Sequence, residues 1–134
     1  MTGLKNGGQG PGARVLHKEL SYRIVGCAQK VHGTLGPGYP ESIYHKALCH
    51  EMAQAKVPFE SEKLIQIYYN GVLCGEFRLD LLVDAKVVVE LKALDGLNDQ
   101  HLAQAISYLK ATGLKLAILI NFGQKSLEVR RVVL

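Results

Sequence analysis

Hydrophobic residues recur along this chain with two different periods, and the change from one to the other separates helices from strands. In the N-terminal third they recur every three or four positions, which predicts one helix from His17 to Gly33 and another from Pro40 to about Ala55. The core-facing stripes are expected to consist of Leu20, Ile24, Ala28 and Val31 in the first helix and Ile43, Ala47, Leu48 and Met52 in the second.

After Pro58 the period changes to two, which is typical of strands. Asn70-Gly71 predicts a hairpin turn, while Asn98 and Gly113 predict the start and the end of a third helix that runs to Thr112. The expected strands are Lys63–Tyr69, Val72–Val83 with a bend at Gly75, Lys86–Ala93, the largely apolar Leu114–Asn121, and Glu128–Leu134. This order predicts a single α/β domain over residues 15–134, preceded by a glycine-rich and flexible tail over residues 1–14.

The composition fits one ordinary globular domain, because 48% of the 134 residues are hydrophobic and 21% are charged. The formal net charge of +4 is compatible with a polyanionic partner but too small to indicate one. Cys27, Cys49 and Cys74 are too few and too far apart for a four-ligand zinc or iron–sulfur site. Together with the lack of a secretory signal they predict a reducing, cytoplasmic setting, and no apolar run is long enough to cross a bilayer.

Two acidic residues and a lysine fall on neighbouring predicted strands. In the first of these strands Phe77, Leu79, Leu81 and Val83 form one apolar face, and Asp80 lies on the other face with Arg78. In the next strand Glu90 and Lys92 share one face. A three-residue turn at Asp84-Ala85-Lys86 gives the antiparallel register in which Asp80 lies directly across from Glu90. Opposed side chains in such a pair have Cβ atoms roughly 5 Å apart. The two carboxylates therefore either repel each other or share a cation.

A divalent cation between these strands explains the pattern well. Mg²⁺ takes oxygen ligands and keeps several waters, so two or three carboxylates are enough to hold it. Such an ion activates water and neutralises charge on a phosphate, and a nearby ammonium adds to the stabilisation. The alternative is a solvated strand face with a surface salt bridge. The apolar residues around Glu90 favour a partly buried pocket instead, in which charges persist when something binds them.

Three short motifs occur in one order along the chain and together resemble a known group of proteins. Asp80, nine residues and then Glu90-Leu91-Lys92 resemble the D-x(n)-E-x-K motif of the PD-(D/E)XK nuclease superfamily. Residues 38–44 match G-x-x-E-x-x-Y, with Gly38, Glu41 and Tyr44, which names a group of small bacterial proteins in that superfamily. Residues 104–108 resemble the Q-x-x-x-Y motif of its RecB and lambda-exonuclease branch. The resemblance spans residue 17 to the C-terminus.

This resemblance implies a restriction-endonuclease-like core, in which helices flank a mixed central sheet. It implies that Asp80 and Glu90 bind Mg²⁺ or Mn²⁺, that Glu41 completes the site from its helix, and that Lys92 positions or activates the attacking water. Two features differ from related nucleases. RecB-type enzymes often carry a histidine before the helix glutamate, and the nearest histidine here, His32, lies on a different predicted element. Some relatives also bind an iron–sulfur cluster through cysteines, which this chain cannot form.

Other polar residues have a structural explanation beside the functional one. Glu41 in a first helical turn also interacts favourably with the helix dipole, and Tyr44 is expected mainly to pack in the core. Gln104 and Tyr108 either form a solvated helix face or reach the metal pocket, with His101 as a weaker candidate. We expect surface positions for His45 and His50. Several basic residues are either ordinary surface charges or contacts to backbone phosphates, namely Arg78, Lys86, Lys110, Lys115, Arg130 and Arg131.

The sequence thus predicts a metal-dependent nuclease with Glu41, Asp80, Glu90, Lys92, Gln104 and Tyr108 as site residues and nucleic acid, with DNA favoured, as the substrate. The alternatives are a catalytically inactive nuclease-fold domain that binds nucleic acid or protein, and a hydrolase of small phosphorylated molecules. No recognition helix indicates sequence-specific binding. The resemblance leaves open a homodimer and a helicase or other DNA-processing partner.

Overall fold

The computed structural model describes residues 16–134, so the tail predicted for residues 1–14 lies outside the described part. Within residues 16–134, three helices and five strands follow one another. They are α1 (Lys18–Leu35), α2 (Glu41–Gln54), β1 (Phe59–Tyr69), β2 (Val72–Val83), β3 (Val87–Lys92), α3 (Asp99–Thr112), β4 (Leu116–Asn121) and β5 (Glu128–Val133). The order of elements is the predicted one, and most boundaries agree within two residues. β1 is the main exception, since it begins four residues before the predicted start.

The five strands form one mixed sheet in the order β1-β2-β3-β4-β5. Neighbouring strands are antiparallel except β3 and β4, which are parallel and are joined by the crossover helix α3. The three-residue turn predicted after Val83 is present, with left-handed backbone at Asp84 and Ala85. The predicted bend near Gly75 is also present, because the β1–β2 register shifts there and leaves Cys74 without a partner.

Helices cover both faces of the sheet and create two core layers. The first layer lies between the sheet and the α1–α2 pair, and the second lies between the sheet and α3. All six residues of β4 are buried, as expected of a central strand with helices on both sides. This is the predicted α/β architecture with flanking helices. Among residues 16–134, every helix is too short or too polar to span a bilayer.

The helical stripes are largely as predicted. Ile24, Ala28 and Val31 of α1 and Leu48 and Met52 of α2 are buried in the first layer. The prediction for Ile43 was wrong, because this side chain is 41% exposed. Tyr44 takes its place in the core, since it sits one residue further round the helix and is completely buried.

Candidate active site

The pairing of β2 with β3 ends where the two acidic residues face each other. Backbone partners run from Val83↔Val87 to Leu81↔Val89, and the same register continued by one residue brings Asp80 opposite Glu90. At this position side-chain carboxylates, and not backbone carbonyls, accept the hydrogen bonds between the two strands. The N–H of Asp80 donates to Glu90 Oε2 at 2.9 Å, and the N–H of Leu91 donates to Asp80 Oδ2 at 2.7 Å. The two carboxylates are therefore fixed by each other's strand.

The alternation of β2 is also broken at Asp80. Leu79 packs in the second core layer, whereas Leu81 packs in the first, although both were predicted to share one apolar face with Phe77 and Val83. That prediction was wrong because β1 and β2 are both irregular at this level. Glu62 of β1 has a left-handed φ of 55° and drops out of the pairing directly across from Asp80. A left-handed backbone is energetically costly for a residue other than glycine.

Glu90 is the most deeply buried acidic group of this site, with 5% of its surface exposed. Burial raises its pKa to about 8, and the negative charges of Asp80 and Glu41 act in the same direction. The hydrogen bond from the Asp80 N–H and the positive charge of Lys92 lower the pKa but do not offset the burial. Without a bound cation this carboxyl group therefore holds its proton at neutral pH.

The pKa values of Asp80 and Glu41 are also raised. Burial is the main cause of the raised pKa of Asp80, and it is opposed by the Leu91 N–H and by the charges of His45 and Lys92. Glu41 is more exposed, but partial loss of hydration raises its pKa and the charge of Asp80 raises it further. Glu41 and Asp80 are therefore close enough for their charges to interact. As predicted, Glu41 lies in the first turn of α2.

The start of α2 explains how Glu41 reaches this position. Pro40 was predicted as the first helical residue but precedes the helix, with extended backbone at φ −62° and ψ 153°, so Glu41 opens the helix. Tyr44, one turn later, stacks on Phe122 with ring centroids 4.6 Å apart. Its hydroxyl donates to the carbonyl of Gly36 at 2.6 Å and accepts the N–H of Tyr39 at 3.2 Å. The predicted packing role of Tyr44 is confirmed, and it anchors the loop before Glu41.

His45 is the residue that the sequence analysis missed. It is half-buried rather than on the surface, and its ring Nε2 lies 2.8 Å from Ser61 Oγ of β1. Its positive form lowers the pKa of both Asp80 and Glu41. A spacing of four residues places His45 on the same helix face as Glu41, and that was the available signal. His50, in contrast, is exposed as predicted.

Lys92 lies on the α3 side of the carboxylates, beside an open pocket of about 500 Å³. The pocket is lined by Lys92, Gln100, His101, Ala103, Gln104 and Ser107. Gln104 is exposed to this pocket. His101 has a structural role as well, because its Nδ1 accepts the N–H of Asn98 at 3.0 Å while the Asn98 side chain accepts the His101 N–H. The predicted helix cap at Asn98 is thus confirmed.

Tyr108 lies near the same carboxylates. Its ring stacks on Phe77 with centroids 4.2 Å apart. Burial raises the pKa of its hydroxyl, and the charges of Glu90 and Asp80 raise it further. In the described part of the chain no hydrogen bond joins Gln104 or Tyr108 to either carboxylate. The structure therefore brings these two residues to the edge of the site without connecting them to it.

The carboxylates fit a hard divalent cation in part. In the described range 16–134, neither Asp80 nor Glu90 forms an ion pair with a cationic side chain, although Glu90 is buried and Asp80 is half-buried. Closely spaced carboxyl groups without an ion-pair partner are suitable oxygen ligands for such an ion. Within the same range, however, no three His, Cys, Asp or Glu side chains form a closed metal-binding group. The arrangement suits an ion that keeps several water ligands.

The remaining candidates lie outside this group. His32 is buried against Phe122, and its Nε2 lies 2.9 Å from the carbonyl oxygen of Gln124. Arg131 donates to the carbonyl of Leu16 at 2.6 Å and is half-buried. The exposed basic candidates are Arg78, Lys86, Lys110, Lys115 and Arg130, of which Lys86 forms a 3.4 Å ion pair with Asp84.

A comparison with protein-family models finds one match that covers most of the chain. The model described as the PD-(D/E)XK nuclease superfamily matches residues 18–132. A search of curated proteins and a search of solved structures found no significant match.

Proposed function

Because the chain belongs to the PD-(D/E)XK nuclease superfamily, we propose that it is a metal-dependent nuclease that hydrolyses phosphodiester bonds of nucleic acid, with DNA as the expected substrate. One observation carries the proposal. Asp80 and Glu90 are brought together at a break in the sheet, where backbone N–H groups orient them and neither forms an ion pair with a cationic side chain among residues 16–134.

Each residue has a role that follows from its position. Asp80 and Glu90, with Glu41 from α2, would hold Mg²⁺ or Mn²⁺. When bound, the ion supplies an acidified water and neutralises charge on the phosphate. Lys92 orients the attacking water and adds positive charge beside the pocket that receives the scissile phosphate.

Two residues of α3 complete the proposed site. Gln104 can donate its amide hydrogens to a phosphate oxygen in the pocket. The raised pKa of Tyr108 keeps its hydroxyl protonated, so this group acts as a hydrogen-bond donor and not as a base. Both contacts need the substrate, which agrees with the absence of a hydrogen bond from either side chain to Asp80 or Glu90 within the described residues.

A cleavage assay with matched variants tests the proposal. The full chain is incubated with single- and double-stranded DNA and RNA in Mg²⁺, Mn²⁺ or EDTA. We expect metal-dependent cleavage that falls by about 100-fold or more in Asp80→Asn and Lys92→Met. Asp84→Asn and Lys56→Met are the controls, because Asp84 lies in the turn after β2 and Lys56 follows the far end of α2. Both should cleave within about twofold of the wild type.

Metal binding is measured separately by calorimetry with Mn²⁺. Asp80→Asn and Glu90→Gln should lose binding, whereas Lys92→Met should keep it. Tight nucleic-acid binding without cleavage in any condition would instead favour an inactive nuclease-fold binding module. Turnover of phosphate esters that is indifferent to nucleic-acid length would favour a hydrolase of small phosphorylated molecules.

We also propose the finer placement that the motifs indicate. Membership of the G-x-x-E-x-x-Y group is supported by the entry into α2, where Gly38 adopts a φ of 115°, Glu41 opens the helix and Tyr44 packs below it. A relation to the RecB and lambda-exonuclease branch is supported by the position of Gln104 and Tyr108 beside the carboxylates. A homodimer and a helicase partner stay predictions, and sedimentation analysis of the purified chain tests the first.

A further inference from the structure

The side chain of Asn121 forms every hydrogen bond that an amide can form. Asn121 ends β4 and is completely buried. Its Oδ1 accepts the N–H groups of Leu94 at 2.8 Å and Gly123 at 3.0 Å. Its Nδ2 donates to the Leu94 carbonyl at 3.0 Å and to Glu128 Oε1 at 3.1 Å. A buried amide with all four groups satisfied fixes its neighbours in one arrangement.

Glu128 extends this network along the same loop. Its Oε1 accepts the N–H of Leu97 at 3.1 Å in addition to the Asn121 amide. The neighbouring Gln124 donates its side-chain amide to the Asp95 carbonyl. We refer to the side chains of Asn121 and Glu128, with the backbone groups that they bind, as the clasp. The clasp thus secures both ends of the loop that joins β3 to α3.

This loop connects the proposed catalytic lysine to the helix beside it. Lys92 is the register partner of Asn121, and Asn121 is the register partner of Glu128, so the clasp begins next to Lys92 in the sheet. The loop ends at Asn98, the cap of α3. Because α3 carries Gln104, the position of the pocket wall relative to Lys92 depends on this loop.

We propose that Asn121 and Glu128 are positioning residues of the nuclease site, which act by holding the loop between Lys92 and α3. This inference rests on the proposed nuclease function. Among residues 16–134 neither side chain forms a hydrogen bond with Asp80 or Glu90, so neither is expected to contribute to metal binding. The role of Glu128 is that of a hydrogen-bond acceptor, and in residues 16–134 its carboxylate forms no ion pair. A glutamine can accept the same two hydrogen bonds without the charge.

The pair Glu128→Ala and Glu128→Gln tests the inference in the full-length chain. We expect Glu128→Ala to lower kcat by about tenfold or more with KM within about twofold, because displaced positioning groups typically cost 10- to 100-fold in activity. Glu128→Gln should restore kcat to within about twofold of the wild type. Mn²⁺ affinity should be the same in all three proteins. Amide hydrogen exchange at Leu94 and Leu97 should accelerate in Glu128→Ala only.

The outcomes separate this inference from the proposed function. If the wild type cleaves and Glu128→Ala keeps its kcat, the clasp has no positioning role while the nuclease proposal stands. An equal loss in Glu128→Gln means that charge matters, which also overturns the inference. If the wild type does not cleave, the nuclease proposal fails, and unchanged exchange at Leu94 and Leu97 in Glu128→Ala contradicts the clasp as well. Should Glu128→Ala not fold, Glu128→Asp shortens the side chain and weakens its hydrogen bonds to Leu97 and Asn121, which should lower kcat about threefold; an unchanged kcat refutes the inference.

Discussion

Glu90 is held in a position that favours its neutral form, so replacing it with glutamine should stabilise the metal-free protein at alkaline pH. The carboxylate is 5% exposed, and its pKa of about 8 lies well above the ordinary value of 4.5. Between these two values the folded protein keeps the proton while the unfolded chain has released it. The free energy of unfolding therefore falls as pH rises through this window and stays low above pH 8.

The size of the effect follows from the two pKa values. At about 1.4 kcal/mol per pH unit, the interval between 4.5 and about 8 corresponds to roughly 5 kcal/mol at full ionisation. Glutamine keeps the shape and can still accept the Asp80 N–H, but it never ionises. We expect Glu90→Gln to be more stable than the wild type by about 2 to 5 kcal/mol at pH 9, and by less than about 1 kcal/mol at pH 5.

The assay is urea denaturation in EDTA, from pH 5 to pH 9, on the wild type, Glu90→Gln and the control Glu76→Gln, whose side chain is exposed. Asp80 and Glu41 also have raised pKa values, so the informative quantity is the difference between the curves. Parallel curves for the wild type and Glu90→Gln would refute the reasoning. Added Mg²⁺ should stabilise the wild type at pH 8 and leave Glu90→Gln unchanged.

Three further substitutions test individual parts of the fold. Gly123→Ala should destabilise the protein by about 3 kcal/mol or more in urea denaturation, since a Cβ there would lie 2.3 Å from the backbone N and O of Leu94; a loss below about 1 kcal/mol would contradict this close approach. Asn98→Ala should cost about 1 kcal/mol and loosen the start of α3, visible as faster amide exchange at His101; unchanged exchange would mean that the cap is unimportant. Tyr44→Phe should lower the melting temperature by a few degrees with cleavage unchanged, whereas a large loss of kcat in a folded protein would point to a catalytic hydroxyl.

The chain's local pattern was enough to predict most of the fold and the two central carboxylates. Periodicity gave the order of helices and strands, and the parity of the β2–β3 turn gave the register that brings Asp80 opposite Glu90. These features depend on residues close in sequence, where the spacing of side chains along a helix or strand determines which of them share a face. The same holds for the Asn98 cap and the Gly113 stop.

Contacts between distant segments were decided only by the tertiary structure. The break at Asp80 lies across from the left-handed backbone of Glu62 in the neighbouring strand, and Leu79 and Leu81 on either side of it pack in different core layers. His45 was predicted to be a surface residue, but the folded chain places it beside Ser61 of β1. The roles of Asn121 and Glu128 could not be predicted from the sequence, because their hydrogen bonds are to backbone groups that only folding brings within reach. Sequence periodicity specifies which face a residue occupies, whereas burial and hydrogen bonding depend on what the rest of the chain places against that face.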